Sequence, residues 1–432
     1  MRMIDEATAR ALDGSRTDSL TVWAWRAGAL VLPEPLQVLS WSFADDAGDS
    51  VKVGQKLSLT VADPDGSLGA WKFDDPLGVG GTRLQVVYRV GGAGAINYGW
   101  FRIVDNEPSE AVDWRKVAEY GLDEPDSVHE PHTRHRPVVT SVVKLEAVDL
   151  TDDVDRDIFE APESPAPGAT VLSEFVRLMG GHFPVIVDPG ITDIPVPPKT
   201  VFDKNRLEDG QDLLARVNAR YRMGGDGECH VYPRDSAPVL RLEPGRALVA
   251  VTRKQSISGL FNRWIVDGKS STDSAPIRAV VSLTSGPLRY GGPHGKVPDT
   301  YSSETITSYE GALAYAEQMR DQFLGSLAVK LSVTTSPRPE LQSGDRIEVG
   351  YPITAGHVVY IPGGITGVNR SGDTTPGPTV MTVSCSYSDV VTALSRTEWA
   401  EHLTDTMPAL TWDRMPASWG SLPDWMSWND LP

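Results

Sequence analysis

Short runs of alternating apolar and polar residues, cut by Gly and Pro, dominate the chain and predict strands. Leu57, Leu59 and Val61 alternate with Ser58 and Thr60, and Leu84, Val86, Tyr88 and Val90 form a second such run. Successive strand side chains point to opposite faces, so this alternation buries one face of a sheet. The second run meets the loop Gly91-Gly-Ala-Gly-Ala-Ile96 and returns over Tyr98 to Val104, a hairpin with a glycine-rich connection. Val143, Leu145 and Ala147 mark a further strand. Asp63-Pro-Asp-Gly66 predicts a turn, because Pro presets φ and Gly accepts positive φ. Residues 1–150 are therefore expected to form a β domain.

The period then changes. Val171, Leu172, Phe175, Val176 and Met179 fall on one helical face, stopped by Gly180-Gly181. A second predicted helix carries Leu213, Leu214, Val217 and Tyr221 and ends at Gly224-Gly225, before a strand over 228–233. Residues 151–240 thus read as a small α/β domain, entered through the Pro-rich linker Glu160–Gly168. Residues 241–395 return to strands around one helix over 308–324. Thr307 and Glu310 predict its capping box, Ala312, Tyr315, Ala316, Met319 and Phe323 its buried stripe, and Gly325 its end. The fold class expected is mainly β with an α/β insert.

Residues 396–432 follow another rule. The pattern [ST]-W-x-x-[ML]-P occurs three times, beginning at Thr411, Ser418 and Ser427. Prolines at this spacing forbid a long helix, and Trp412, Trp419, Trp425 and Trp428 are too large an apolar load for such a segment to bury alone. With Pro416 and Pro423 they are the expected partner-docking residues, on a neighbouring subunit or as a strap on the chain's own body.

Charge narrows the function. The chain has 40 Lys and Arg against 58 Asp and Glu, a net charge of −18, and no basic run to displace counterions from phosphates. Tight nucleic-acid binding is not expected, whereas an acidic channel past which DNA slides is compatible. The first residues carry charges and no apolar stretch, and no run reaches the roughly 18 apolar residues of a membrane span. Neither a signal peptide nor an integral membrane segment is expected. Cys229 and Cys385 make no disulfide framework and no CxxC metal site, although one buried pair stays open.

Chemistry is sparse. His129, His132 and His135 could hold zinc with Glu130, but a solvated loop is the preferred reading. The acidic stretches Asp45-Asp46 and Asp152–Asp157 lack EF-hand spacing. Cys229 and His230 are adjacent in a predicted strand and so face opposite sides. No G-x-S-x-G, H-E-x-x-H, P-loop or G-x-G-x-x-G occurs. Paired carboxylates that meet only in space stay open. No catalytic residue, metal or cofactor is expected.

Three stretches, in order, carry a resemblance. Gly210–Tyr221 precedes the strand 227–233, Leu260-Phe-Asn-Arg-Trp-Ile-Val-Asp-Gly268 is similar to an N-x-V-x-V-x-G strand, and Pro339-Glu-Leu-Gln-Ser-Gly-Asp-Arg-Ile347 is similar to a P-x-L-x-x-G-D strand entry. Together they resemble the hub proteins of phage tails and related injection machines. Asp63–Gly66, Gly99-Trp-Phe-Arg-Ile103 and the [ST]-W repeats resemble minor tail proteins of phages that infect actinobacteria. The resemblance implies two barrel-like β domains plus the small α/β domain in each subunit of a homotrimer. Six such barrels would make a pseudo-sixfold ring joining a sixfold tube to a threefold tip. It also implies a virion location at the tail tip after assembly in the bacterial cytoplasm. The implied partners are a distal tail or tail tube protein, the tape measure protein, and tip fibre or spike proteins. No appended wall-degrading domain is expected. A carbohydrate-binding or cell-wall-cleaving tail protein is the alternative, since exposed Trp residues also serve as sugar platforms.

Overall fold

A computed structural model describes residues 1–395 except Met3, Ser15, 49–50, 120–131, Pro198, Lys204, 256–258, 270–276, 304–305 and 355–356, with the backbone alone described at 112–119, 132–140, Thr354 and His357. The described chain forms two compact units, each drawn from several segments. Unit 1 comprises Met1–Lys254, Lys330–Glu348 and Gly363–Ser384, and unit 2 includes Gln255–Val329 and Val349–Pro362.

Unit 1 opens with α1 (Glu6–Leu12), capped by Asp5, and the strands β1 (Ser19–Arg26), β2 (Ala29–Leu30), β3 (Val38–Asp46), β4 (Gln55–Asp63), β5 (Arg83–Arg89), β6 (Ala95–Glu119) and β7 (His132–Asp149). Short α2 (Thr151–Asp155) leads to α3 (Val171–Met179), β8 (Val185–Val187), α4 (Arg206–Arg216), β9 (Ala219–Met223), β10 (Cys229–Pro233), β11 (Leu240–Leu242) and β12 (Leu248–Lys254). Unit 2 holds β13 (Arg263–Gly268), β14 (Ile277–Ser282), β15 (Pro298–Ser303) and α5 (Tyr309–Ser326). The chain then runs through β16 (Ala328–Thr335), β17 (Arg346–Thr354), β18 (His357–Gly372) and β19 (Pro376–Ser386).

The large sheet runs β12-β16-β19-β18-β3-β4-β7-β6-β5-β1-β2, with β17 joining β11 and β18. The alternating runs of the sequence supply its core: Leu57, Leu59, Val61, Leu84, Val86, Tyr88, Val143 and Leu145 are all buried. The mainly β reading holds. The expected closure does not occur: β12 and β2 end the strand order without meeting, and there is no closed barrel among the described residues.

Within unit 1, the helices and strands after residue 151 differ from the expectation at one place. The second helix stops at Arg216 instead of reaching Tyr221. Asn218 takes a left-handed φ of 51°, and Ala219–Met223 becomes β9, antiparallel to β10. Gly224-Gly225 therefore belongs to a hairpin turn, closed by Gly224 N–H donating to the Glu228 carbonyl (2.8 Å). The Pro-rich linker is tied down: Glu163 and Phe202 exchange backbone hydrogen bonds of 2.9 Å, and the Ala166 N–H donates to Glu174 (2.9 Å).

In unit 2, α5 packs on β13 and β14, and β15 runs parallel to β13. The 260–268 motif explains itself here. Buried Asn262 accepts from Val297 N–H (2.9 Å) and donates to the Gly295 carbonyl (3.0 Å), and Trp264 and Val266 fill the core. A Cβ on Gly268 would lie 2.4 Å from the Ile306 carbonyl oxygen. The buried stripe of α5 is as expected at Ala312 and Ala316, with Tyr315, Met319 and Phe323 partly buried. Its cap is one residue later: the Ser308 hydroxyl, not Thr307, accepts from Gly311 N–H (3.1 Å), and the helix continues through Gly325 to Ser326.

Candidate functional site

The stretch Pro339–Asp345, visible in the sequence only as a pattern, is a knot of buried ionic groups within unit 1. Gly344 adopts φ of 83° and its N–H donates to the Ile365 carbonyl (2.7 Å), which turns the chain back so that Asp345 accepts from Gln342 N–H (2.9 Å). Asp345 also accepts from the Arg222 guanidinium of β9 (2.8 Å) and pairs with the Met1 ammonium. Ser343 donates its hydroxyl to buried Asp45 of β3 (2.5 Å), and Arg222 reaches the Ser343 carbonyl (3.2 Å). Arg370 of β18 donates to the carbonyls of Arg338 (2.9 Å) and Leu341 (2.5 Å). Arg2 donates to the carbonyls of Pro339 (3.0 Å) and Leu341 (3.3 Å), and both its guanidinium and that of Arg370 lie over the Tyr98 ring.

Buried charges are tolerated when each is paired and hydrogen-bonded, and the titration behaviour follows that rule. Burial opposes ionisation of Asp345, yet the Arg222 guanidinium and the N-terminal ammonium outweigh it and hold the carboxyl below its usual value. Burial and the neighbouring Arg370 lower Arg2 to about 10, which leaves it charged at neutral pH.

Beside this knot lies a cavity of about 300 Å³, lined among others by Asp45, Lys52, Asp149, Tyr221, Arg222 and Tyr232. Its acids are held by the chain itself. Asp149 accepts from the N–H groups of Gln55 (2.6 Å) and Thr151 (2.8 Å), while burial raises its carboxyl to about 6 against those hydrogen bonds. The acidic stretch 152–157 is largely engaged in ion pairs. Asp153 meets Arg83 (3.0 Å) and Arg102 (2.6 Å), and Asp157 meets His182 (3.0 Å) and Arg206 (2.9 Å).

Trp412, Trp419, Trp425, Trp428, Pro416, Pro423 and His129 lie outside the described residues, as do the side chains of His132 and His135. Both are backbone positions of β7, in register with Glu119 and Lys116 of β6. Cys229 and His230 do face apart: Cys229 is buried, its thiol pushed up by burial, while His230 is half-exposed and bonds Asp226 (2.8 Å). No disulfide joins Cys229 and Cys385. The metal-capable group that the hairpin turn does gather is Asp226, Glu228 and His230, whose ligand atoms lie within 4.8 Å of one another. Alternation along a strand could have found it.

Sequence reading also missed an aromatic loop between β4 and β5. Trp71 is 88% exposed and Phe73 77%. The loop is nonetheless fixed. Asp75 accepts from the N–H groups of Trp71 (2.8 Å) and Lys72 (2.7 Å), the Phe73 carbonyl accepts from Gly80 N–H (2.9 Å), and Asn106 of β6 donates to the Leu77 carbonyl (3.0 Å). Among the described residues, no helix is long and apolar enough to cross a membrane.

No protein-family model and no curated protein matches the chain. Solved structures do. The 43 kDa tail protein of prophage MuSo2 from Shewanella oneidensis is 14% identical, with a TM-score of 0.50 over 84% of this chain and 98% of that one. A tail protein from Neisseria meningitidis MC58 is 14% identical, with a TM-score of 0.48 over 85% and 96%. The E. coli c3393 protein, described as a type VI secretion component similar in structure to T4 tail proteins gp27 and gp5, is 11% identical, with a TM-score of 0.45 over 84% and 76%. At such identity the likeness is one of fold, and the MuSo2 protein carries it: the chain has a phage tail protein fold.

Proposed function

We propose that this chain is a structural, non-enzymatic hub of a phage tail tip or baseplate. Three copies form a ring that joins the tail tube or distal tail protein to tip fibres or a spike, and the acidic lumen lets DNA and the tape measure protein pass. The observation that supports this reading is the fold likeness to the MuSo2 tail protein across 98% of that chain. A protein of this kind works by shape, and the ionic knot fits that role: its carboxylates are engaged in holding distant segments together. The Trp/Pro tail, with Trp412, Trp419, Trp425 and Trp428, docks on a neighbour.

Light scattering of the full chain, together with the symmetry of its density in a tail-tip reconstruction, tests the proposal. A threefold ring is expected. A strictly monomeric mass with no ring in the virion refutes it. Deleting residues 405–432 is expected to block particle assembly. Normal particles that fail to adsorb would instead favour a sugar-binding tail.

A further inference from the structure

The turn between β9 and β10 draws three metal-capable donors together. Asp226, Glu228 and His230 alternate along the chain, and their ligand atoms lie within 4.8 Å of one another. The backbone sets Asp226 in place. Its Oδ1 accepts from Glu228 N–H (3.0 Å), while its Oδ2 faces His230 Nε2 (2.8 Å). Gly224 makes this approach possible. A Cβ there would lie 2.3 Å from Asp226 Oδ1 and 2.7 Å from His230 Nε2, so any side chain at 224 would intrude on both donors. The turn also rests on β6. A Cβ on Gly225 would lie 2.1 Å from the Asn97 carbonyl oxygen, and one on Gly227 would lie 3.0 Å from Trp100 Cδ1.

Charge distinguishes this group from the other acids of unit 1. Asp153, Asp157 and Asp345 each meet a guanidinium. Among the described residues, no Lys or Arg pairs with Asp226 or Glu228. Two carboxylates this close repel each other, and a divalent cation between them turns that repulsion into attraction. The donor set names the class of cation. One imidazole nitrogen with two carboxylate oxygens suits zinc and its first-row neighbours, whereas calcium asks for about six to eight oxygens. Ligands of a tetrahedral zinc stand about 3.3 Å apart, so the 2.8 Å contact between Asp226 and His230 opens by about half an ångström to admit the metal. Both side chains are half-exposed and can make that shift.

We propose that Asp226, Glu228 and His230 bind a divalent transition metal, zinc or a first-row neighbour, which clasps the β9–β10 turn. Three protein donors leave a position for water. The clasp stiffens the hairpin whose strand β9 presents Arg222 to Asp345 of the ionic knot. It acts within one copy of the chain and does not depend on the proposed ring.

The test uses the full chain without a histidine tag, stripped by a chelator and dialysed. Zinc alone is titrated by calorimetry, Co2+ serves as the absorbing probe, and circular dichroism is the fold control. His230→Gln removes a donor, while Gly224→Ala keeps every donor and fills the space between them. A third variant changes His129, His132 and His135 to Gln, because that stretch offers a second set of imidazoles. The parent is expected to take up a zinc equivalent that the third variant keeps. His230→Gln and Gly224→Ala should each weaken it by roughly tenfold or more. The visible Co2+ band should disappear with His230→Gln, and zinc should slow amide exchange across residues 219–233. A parent that binds no zinc overturns the proposal. So does zinc uptake that survives both His230→Gln and Gly224→Ala, or that is lost in the third variant. Calcium bound as tightly as zinc overturns the assigned class of cation.

Discussion

Asp345→Asn removes one charge from the knot and leaves Arg222 buried without its counterion. Asp345 is 4% exposed and Arg222 19%, so solvent cannot replace the lost partner. Breaking such a pair from one side costs about 3 kcal/mol. For a unit of this size that lowers the unfolding temperature by roughly 6 °C, at about 2 °C per kcal/mol. Thermal and denaturant unfolding of Asp345→Asn, Arg222→Met and the double variant form a cycle. The coupling between the two positions is expected to be about 1.5 kcal/mol or more, because the double variant leaves no orphaned charge. The folded carboxyl lies below its usual value, so its stabilisation is present above about pH 4 and lost as pH falls through the folded value. The reasoning fails if Asp345→Asn costs less than about 1 kcal/mol, or if the effects of the two substitutions simply add.

Asp149 titrates with the opposite sign. Its folded value near 6 lies above the usual carboxyl value, so its contribution is full below about pH 4 and is lost as pH rises through 6. Asp149→Asn should remove a pH dependence on the order of 2–3 kcal/mol between those limits, read as the difference from wild type in unfolding temperature against pH. Gly344→Ala adds a Cβ at φ of 83°, 2.0 Å from the Tyr232 hydroxyl, and should cost about 3 kcal/mol. Adding Tyr232→Phe should recover part of that loss, and denaturant midpoints measure both. Ser308→Ala should destabilise α5 by about 1 kcal/mol while Thr307→Ala stays within about 0.5 kcal/mol, measured by hydrogen exchange across the helix.

Local rules made much of the fold legible. Asp63-Pro-Asp-Gly66 turns as its residues require, and the runs around Leu57 and Leu84 bury the positions their period selects. Failures came where one residue changed the period or a partner lay far away. Tyr221 fits a helical face with Leu214 and Val217, and only the backbone at Asn218 breaks the register. Thr307 and Ser308 are equally good caps by residue type, so chain geometry decides between them. The length of the β6–β7 pairing was unread because Pro108 and the charges around it mask any alternation, though Pro108 pairs in register with Val143. The ionic knot was out of reach of any local rule: Asp45, Arg222 and Asp345 carry no periodic signal, and only the Gly-Asp of 344–345 hinted at it. The same distance hid the cluster at Asp226 less completely, since its three residues share one hairpin.

The pairing of β3 with β18 sets a timetable for synthesis. Trp41 lies opposite Gly372, so an early strand has no neighbour on that side until nearly all the described chain has left the ribosome. At roughly 5–20 residues per second that wait is on the order of half a minute. During it, the apolar face that Trp41 and Phe43 help to form stands open along one border of the nascent sheet. Such late, distant pairing slows folding and leaves a sticky intermediate. A chaperone that holds the emerging chain should therefore raise the yield of soluble protein, and a message broken before codon 372 should yield aggregates instead of a smaller folded fragment.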